Sequence, residues 1–189
     1  MRRSVFVILA AAAMAAAAAT GEWTAKPGTD GVTVETIGTA QVGDVHTGAF
    51  LSVTCNRTRA PVAWLDYTIA EADKVSKVFD LSPFEGPDAS AQARALVSVE
   101  LVGDTAARPL IAHQSGWYSA EHEGGFGFGI GGGTKESKAL AALIKRMAKS
   151  GTALRIHVAS FDKPPRSIVS EFPLSGSRDA LASLAKGCR

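Results

Sequence analysis

Cysteine is nearly missing from this chain of 189 residues: only Cys55 and Cys188 are present. Two thiols so far apart rule out the paired C-x-x-C knuckles of a structural zinc site. The four histidines, His46, His113, His122 and His157, show no H-x-x-x-H or H-x-x-E spacing, and none lies near a cysteine in sequence. His122 stands between Glu121 and Glu123, but successive side chains of a strand point to opposite faces, so at most one carboxylate could join it. No metal site and no cofactor are expected. G-x-S-x-G is lacking as well, which removes the nucleophile-elbow hydrolases. A basic surplus is lacking too. Lys and Arg number 20 against 18 Asp and Glu, and Arg2 and Arg3 belong to the N-terminal segment discussed next. The remainder is neutral, whereas phosphate binding needs concentrated positive charge. The densest basic run, Lys145, Arg146 and Lys149, reads as a solvated helix face, so nucleic acid is not an expected partner. Beyond residue 19 no apolar run approaches the ~20 residues of a membrane span.

The N-terminus carries the strongest positive signal. Met1, Arg2 and Arg3 form a short basic region, Val5 to Ala19 is an apolar run rich in Ala, and Ala17 and Ala19 offer a small-x-small cleavage pattern. Residues 1–19 are therefore expected to be a signal peptide. An even number of cysteines in an exported chain implies a bridge, so Cys55 and Cys188 are expected to form a disulfide closing nearly the whole domain. The expected location is periplasmic or secreted.

Residues 20–31, rich in turn formers, read as a flexible leader, and 32–189 as a single α+β domain. Val32–Ile37 is a β-rich run, and period-two alternation marks Leu51, Val53 and Cys55, then Ala63, Leu65, Tyr67 and Ile69, with Trp64 and Asp66 on the opposite face. Ser76–Leu81 and Ala93–Val102 are further strand candidates. Pro109–His122 extends the meander into the glycine-rich Gly124–Gly133. Ala139, Leu140, Leu143, Ile144 and Met147 recur at helical spacing after Thr134, with Gly151 as terminating glycine. Leu154, Ile156 and Val158, then Ile168, Ser170, Phe172 and Leu174, alternate as strands. Ser177 is expected to cap a short last helix carrying Leu181 and Leu184 inward. Successive strands with few, late helices imply an antiparallel sheet or β-sandwich with one mid-to-late helix and a short C-terminal helix.

The chemistry-bearing patterns are sparse. Gly127, Gly129 and Gly132 satisfy G-x-G-x-x-G ahead of a helix, yet no parallel βαβ unit surrounds them, and a glycine-rich strand and turn is the better reading. Ser183 and Lys186 form an S-x-x-K on a short amphipathic helix, a spacing with no chemistry of its own there. No catalytic residue is assigned. Trp64, Tyr67, Trp117, Tyr118 and His122 make up the candidate binding face, since aromatics bring large contact area.

Leu51, Val53 and Cys55, Trp117, and the terminal Phe172, Leu174, Gly176, Ala180, Leu181, Leu184 and Cys188 resemble the TagO/VasI family of secreted accessory proteins associated with type VI secretion systems. The central Arg-x-Asp strand of that family is replaced here by Ser98 and Glu100. Alphaproteobacterial invasion-associated proteins end in a comparable strand-Gly-helix segment. The resemblance implies an exported interaction protein of the cell envelope or a secretion system, with a protein or envelope component as partner. The alternatives are an envelope hydrolase whose site is assembled in space and a small-ligand carrier.

Overall fold

The computed structural model describes residues 21–28, 31–56, 62–86, 96–106, 108–111, 114–119, 124–131 and 134–188. Alternation becomes architecture in the paired strands β2 (Gly31–Val42) and β3 (Val45–Asn56), which form a long hairpin. Gly43 opens its two-residue loop at φ 55°, a conformation that glycine adopts without Cβ strain. β1 (Thr24–Pro27) pairs with the first half of β2, and β4 is Val62–Ile69. The remaining strands are β5 (Val97–Val102), β6 (Leu110–Ile111), β7 (Gln114–Ser119), β8 (Gly125–Gly131), β9 (Ala153–Ala159) and β10 (Ser167–Pro173). They make one sheet in the order β6-β5-β9-β10-β2-β3-β4-β8-β7, with every strand pairing among the described residues antiparallel. The antiparallel α+β expectation holds.

The sheet is curled. β6 and β7 are its two ends, yet Ile111 and Gln114 are separated in sequence by only two residues. Three Cα–Cα steps span at most about 11 Å, whereas eight strand spacings in a flat sheet would cover about 38 Å. The two edges are therefore brought round toward each other. Contacts through the interior agree: Tyr67 on β4 and Ser170 on β10 lie three strands apart along the sheet, and their hydroxyls meet at 2.5 Å. Tyr67 stacks on Phe128 and meets Phe172 edge-on, and all three rings are fully buried. At Gly38, where β2 passes from β1 to β10, a Cβ would stand 2.3 Å from the Glu171 carbonyl oxygen, so only glycine permits that approach.

Helices close the two ends. Helix α1 (Ala72–Val75) and a 3₁₀ turn at Ser82–Phe84 deliver Phe79, Leu81 and Phe84 into the core beside Phe128. Ser76–Leu81 is thus not a strand. A single helical turn is too short to show a 3.6-residue period, and the inward Phe79 and Leu81 in the turns after it mimic alternation. At the other end α2 (Thr134–Met147) and α3 (Arg178–Gly187) pack their Leu140, Ile144, Leu181 and Leu184 over the ends of β2, β3, β4 and β8. Ser177 precedes α3 as expected, but its hydroxyl donates back to the Leu174 carbonyl at 2.6 Å and makes no cap bond.

Cys55, at the end of β3, and Cys188, at the end of α3, form the expected disulfide, with Cα atoms 5.2 Å apart. The expected flexible leader needs correction. Its residues 24–27 are β1, and the buried Trp23 donates its indole N–H to the Pro173 carbonyl at 2.7 Å, anchoring the segment to β10. Residues 1–20, the expected signal peptide among them, lie outside the described residues.

Candidate functional site

The register of the sheet lays two rows across its outer face. One runs Glu35, Ser52, Asp66, Gly129 and Ser115, on β2, β3, β4, β8 and β7. The next, two residues along each strand, runs Ile37, Phe50, Thr68, Gly127 and Trp117. Residues from both rows line an open trough of about 920 Å³, bordered by Glu22, Thr24 and Lys26 on the β1 side and by Trp117 and Tyr118 on the β7 side. Five large hydrophobic side chains are exposed among the described residues, and three of them, Ile37, Trp117 and Tyr118, border this trough. They stand on its two sides, Ile37 on β2 and Trp117 and Tyr118 on β7.

Its wall is built by the glycine-rich run. In β8 the residues Phe126, Phe128 and Ile130 point inward and are buried, so Gly127 and Gly129 fall on the outer face and leave it bare. The indole of Trp117 lies on that bare strip: a Cβ placed at Gly127 would stand 3.4 Å from Nε1, and one at Gly129 only 3.1 Å from Cη2. Trp117 nonetheless keeps 43% of its surface exposed, presenting the trough with a supported aromatic side chain. Gly127 and Gly129 of the motif serve a strand, as expected, whose pairings on both sides are antiparallel, and Gly132 lies outside the described residues.

Carboxylates occupy the floor. Asp66 accepts a hydrogen bond from Trp64 Nε1 at 3.1 Å. Burial pushes its carboxyl above the usual range, only partly offset by that bond. Glu35 is paired with Lys26 at 2.5 Å. With Glu22, three carboxylates face one ammonium, and neither Glu22 nor Asp66 is in a salt bridge among the described residues. Thr36 also borders the trough, its hydroxyl buried and without a hydrogen-bond partner among the described residues.

The candidate face is thus redrawn. Trp117 and Tyr118 stand at the trough. Trp64 is half-buried on the outer face of β4 and acts on Asp66 rather than on the lining. Tyr67 is removed from the face: it is wholly buried, and burial raises its phenol pKa strongly. Its place in the alternation of β4 directs it inward, a stronger constraint than its residue type. His122 and His113 lie outside the described residues, while His46 and His157 are not part of the trough lining. No group of three or more His, Cys, Asp or Glu suited to a metal occurs among the described residues. Glu22, Glu35, Phe50 and Asp66 were not legible as neighbours, because sheet register alone brings them together.

No family model, curated protein or solved structure matches the chain. The trough's own geometry therefore carries the functional reading. Strands β5, β9 and β10, next along the sheet, offer a contrast. There Glu100, Arg155 and Glu171 form a cross-strand row on β5, β9 and β10, with the guanidinium 3.7 Å from Glu100 and 2.8 Å from Glu171. That row supplies its own cation between two carboxylates. The row Glu35, Ser52, Asp66 has a serine at the corresponding middle position.

Proposed function

We propose that this protein is an exported, non-catalytic binding domain of the cell envelope, and that the trough on its outer face is the binding surface. The observation that carries the reading is Trp117, laid on the glycine strip of β8 with much of its surface open to solvent beside Asp66. Supported, exposed aromatics on a rigid sheet give contact area at little entropic cost. Export follows from the N-terminal segment and suits a disulfide-closed domain. No helix among the described residues is long and apolar enough to cross a membrane. The TagO/VasI resemblance points to an accessory role beside a secretion machine, with a protein or envelope component as partner.

The test is capture of envelope extract on the oxidised mature chain, in parallel with Trp117→Ala. The reading expects a species retained by the first and lost by the second. Equal retention on both removes the trough as the binding surface. Mass spectrometry of the native protein checks export, which requires an N-terminus near Thr20 and no alkylatable thiol.

One observation favours a second reading. Asp66 is a carboxyl with raised pKa, and Glu35 stands two strands away in the same row, a Cα separation of about 10 Å in a regular sheet. An acid and a base in one cross-strand row are the elements of inverting glycoside hydrolysis, which needs their carboxyl groups about 6.5–9.5 Å apart. Release of reducing ends from chitooligosaccharides, abolished in Asp66→Asn, would establish that activity in place of binding.

A further inference from the structure

Resting on the trough as the binding surface, we propose that its occupant is an arginine side chain of an extended peptide segment, the guanidinium lying against Trp117 and paired with Asp66, with flanking apolar residues along Ile37 and Phe50. Three observations converge on this ligand. Asp66 Oδ1 and Trp117 Cη2 lie 3.6 and 3.1 Å from one and the same point, the Cβ position at Gly129, so carboxylate and indole are immediate neighbours. A cation over an indole face gains from the ring quadrupole, and the planar, weakly hydrated guanidinium can stack and donate to a carboxylate at once. The formal charge of the lining is negative, and its single ammonium, Lys26, is already held by Glu35.

The remaining observation comes from the neighbouring strands β5, β9 and β10. The row Glu100, Arg155, Glu171 shows what this sheet does with two carboxylates in one cross-strand row: it places a guanidinium between them. In the trough the middle residue is Ser52, short and uncharged, and half-buried Asp66 meets no cation among the described residues. Desolvation that penalises the Asp66 carboxylate makes a bound cation more favourable there than at an exposed carboxylate. The adjoining row Ile37, Phe50, Thr68, Gly127 and Trp117 carries no charge and is apolar but for the Thr68 hydroxyl, so the ligand alternates charge and hydrocarbon rather than carrying charge alone. A neutral sugar would use the indole but leave Asp66 without a counter-ion.

The test uses the oxidised mature chain and three probes: an alternating leucine-arginine hexapeptide, its leucine-glutamate counterpart, and chitotetraose. Binding is followed by calorimetry and by the Trp117 indole N–H resonance. The arginine peptide is expected to bind saturably and to shift that resonance. Affinity should weaken about tenfold in Asp66→Asn and in Trp117→Ala, and again between about 20 and 300 mM salt. The glutamate peptide should not bind. Asp66→Asn preserves side-chain shape, so a loss there is not a folding defect, and unchanged circular dichroism confirms it. Arginine-peptide binding that is indifferent to Asp66→Asn overturns the inference. Chitotetraose binding that needs Trp117 and ignores salt, with no arginine-peptide binding, overturns the cation but leaves the trough standing. If no probe moves the Trp117 resonance, the inference falls, and retention of an envelope species then decides the broader reading separately.

Discussion

Reducing the Cys55–Cys188 bond, or replacing both residues with alanine, perturbs the unfolded chain more than the folded one. In the native protein Cys55 is held from both sides by the pairings Val32↔Cys55↔Ala63, and Cys188 by α3, whose Leu181 and Leu184 are fully buried. Those contacts persist without the bond. The sulfurs are 133 positions apart in sequence, and closing a loop of that length removes roughly 5 kcal/mol of unfolded-state entropy in the chain model, an upper figure because real denatured chains are already compact. Urea unfolding of the oxidised chain, the reduced chain and the double alanine variant measures it. With a slope of about 2 kcal/mol/M, the midpoint should fall by about 2 M, and the slope should rise because the unlinked denatured chain exposes more surface. A midpoint shift below about 0.5 M would refute the entropic reasoning. Hydrogen exchange separates the remaining case: protection lost only in α3, with the sheet unchanged, would make the bond a local fastening of one helix.

Tyr67→Phe leaves the Ser170 hydroxyl buried without its partner and should cost about 1–3 kcal/mol, much of it recovered in the double variant with Ser170→Ala, by chemical denaturation. Burial raises the Tyr67 pKa, so its stabilising contribution is complete below the unfolded value near 10 and is lost as pH climbs above it; absorbance titration should show Tyr67 ionising only with unfolding. Asp104, held down to about 2 by Arg146 and Ser150, acts in the other direction: its contribution is complete above the unfolded value near 4 and disappears as pH falls toward 2, and Asp104→Asn should flatten that acid limb of Tm against pH. Gly129→Val should displace the Trp117 indole, whose Cη2 is only 3.1 Å from the added Cβ, and weaken binding about tenfold, while Gly127→Ala, at 3.4 Å, leaves the indole resonance in place.

What the sequence disclosed was whatever local periodicity encodes. β3, β4, β9 and β10 lie where the alternation of their buried residues puts them, and α2 follows the spacing of Leu140, Leu143, Ile144 and Met147. Elements held by distant contacts were hidden. β1 is four exposed residues with no pattern of its own, held by pairing with β2 and by the bond from Trp23 to Pro173. α1 is a single turn entered through Glu71 at φ 49°, a left-handed conformation that nothing in its neighbours announces. Tyr67 shows two readings of one residue in conflict: residue type suggested a binding surface and alternation required the core. Alternation prevailed, because a one-residue change of face would bury Asp66 and expose Leu65, Tyr67 and Ile69 together.

The trough was hidden for a different reason. Asp66 and Trp117 are brought together by a register running through β8, and neither residue carries a local mark of the other. The glycine run holds the connection. Its seven residues do two jobs at once: Phe126, Phe128 and Ile130 stack into the core around Tyr67, and the intervening glycines clear a strip one side chain wide on the outside. Any larger residue at Gly129 would fill the strip and force Trp117 outward, away from Asp66. Glycine inside a strand weakens it and forgoes a packed side chain, so four glycines alternating with large apolar residues are unfavourable for the sheet alone. A bare strip occupied by one exposed indole beside a half-buried carboxylate is the arrangement that gives that alternation a purpose.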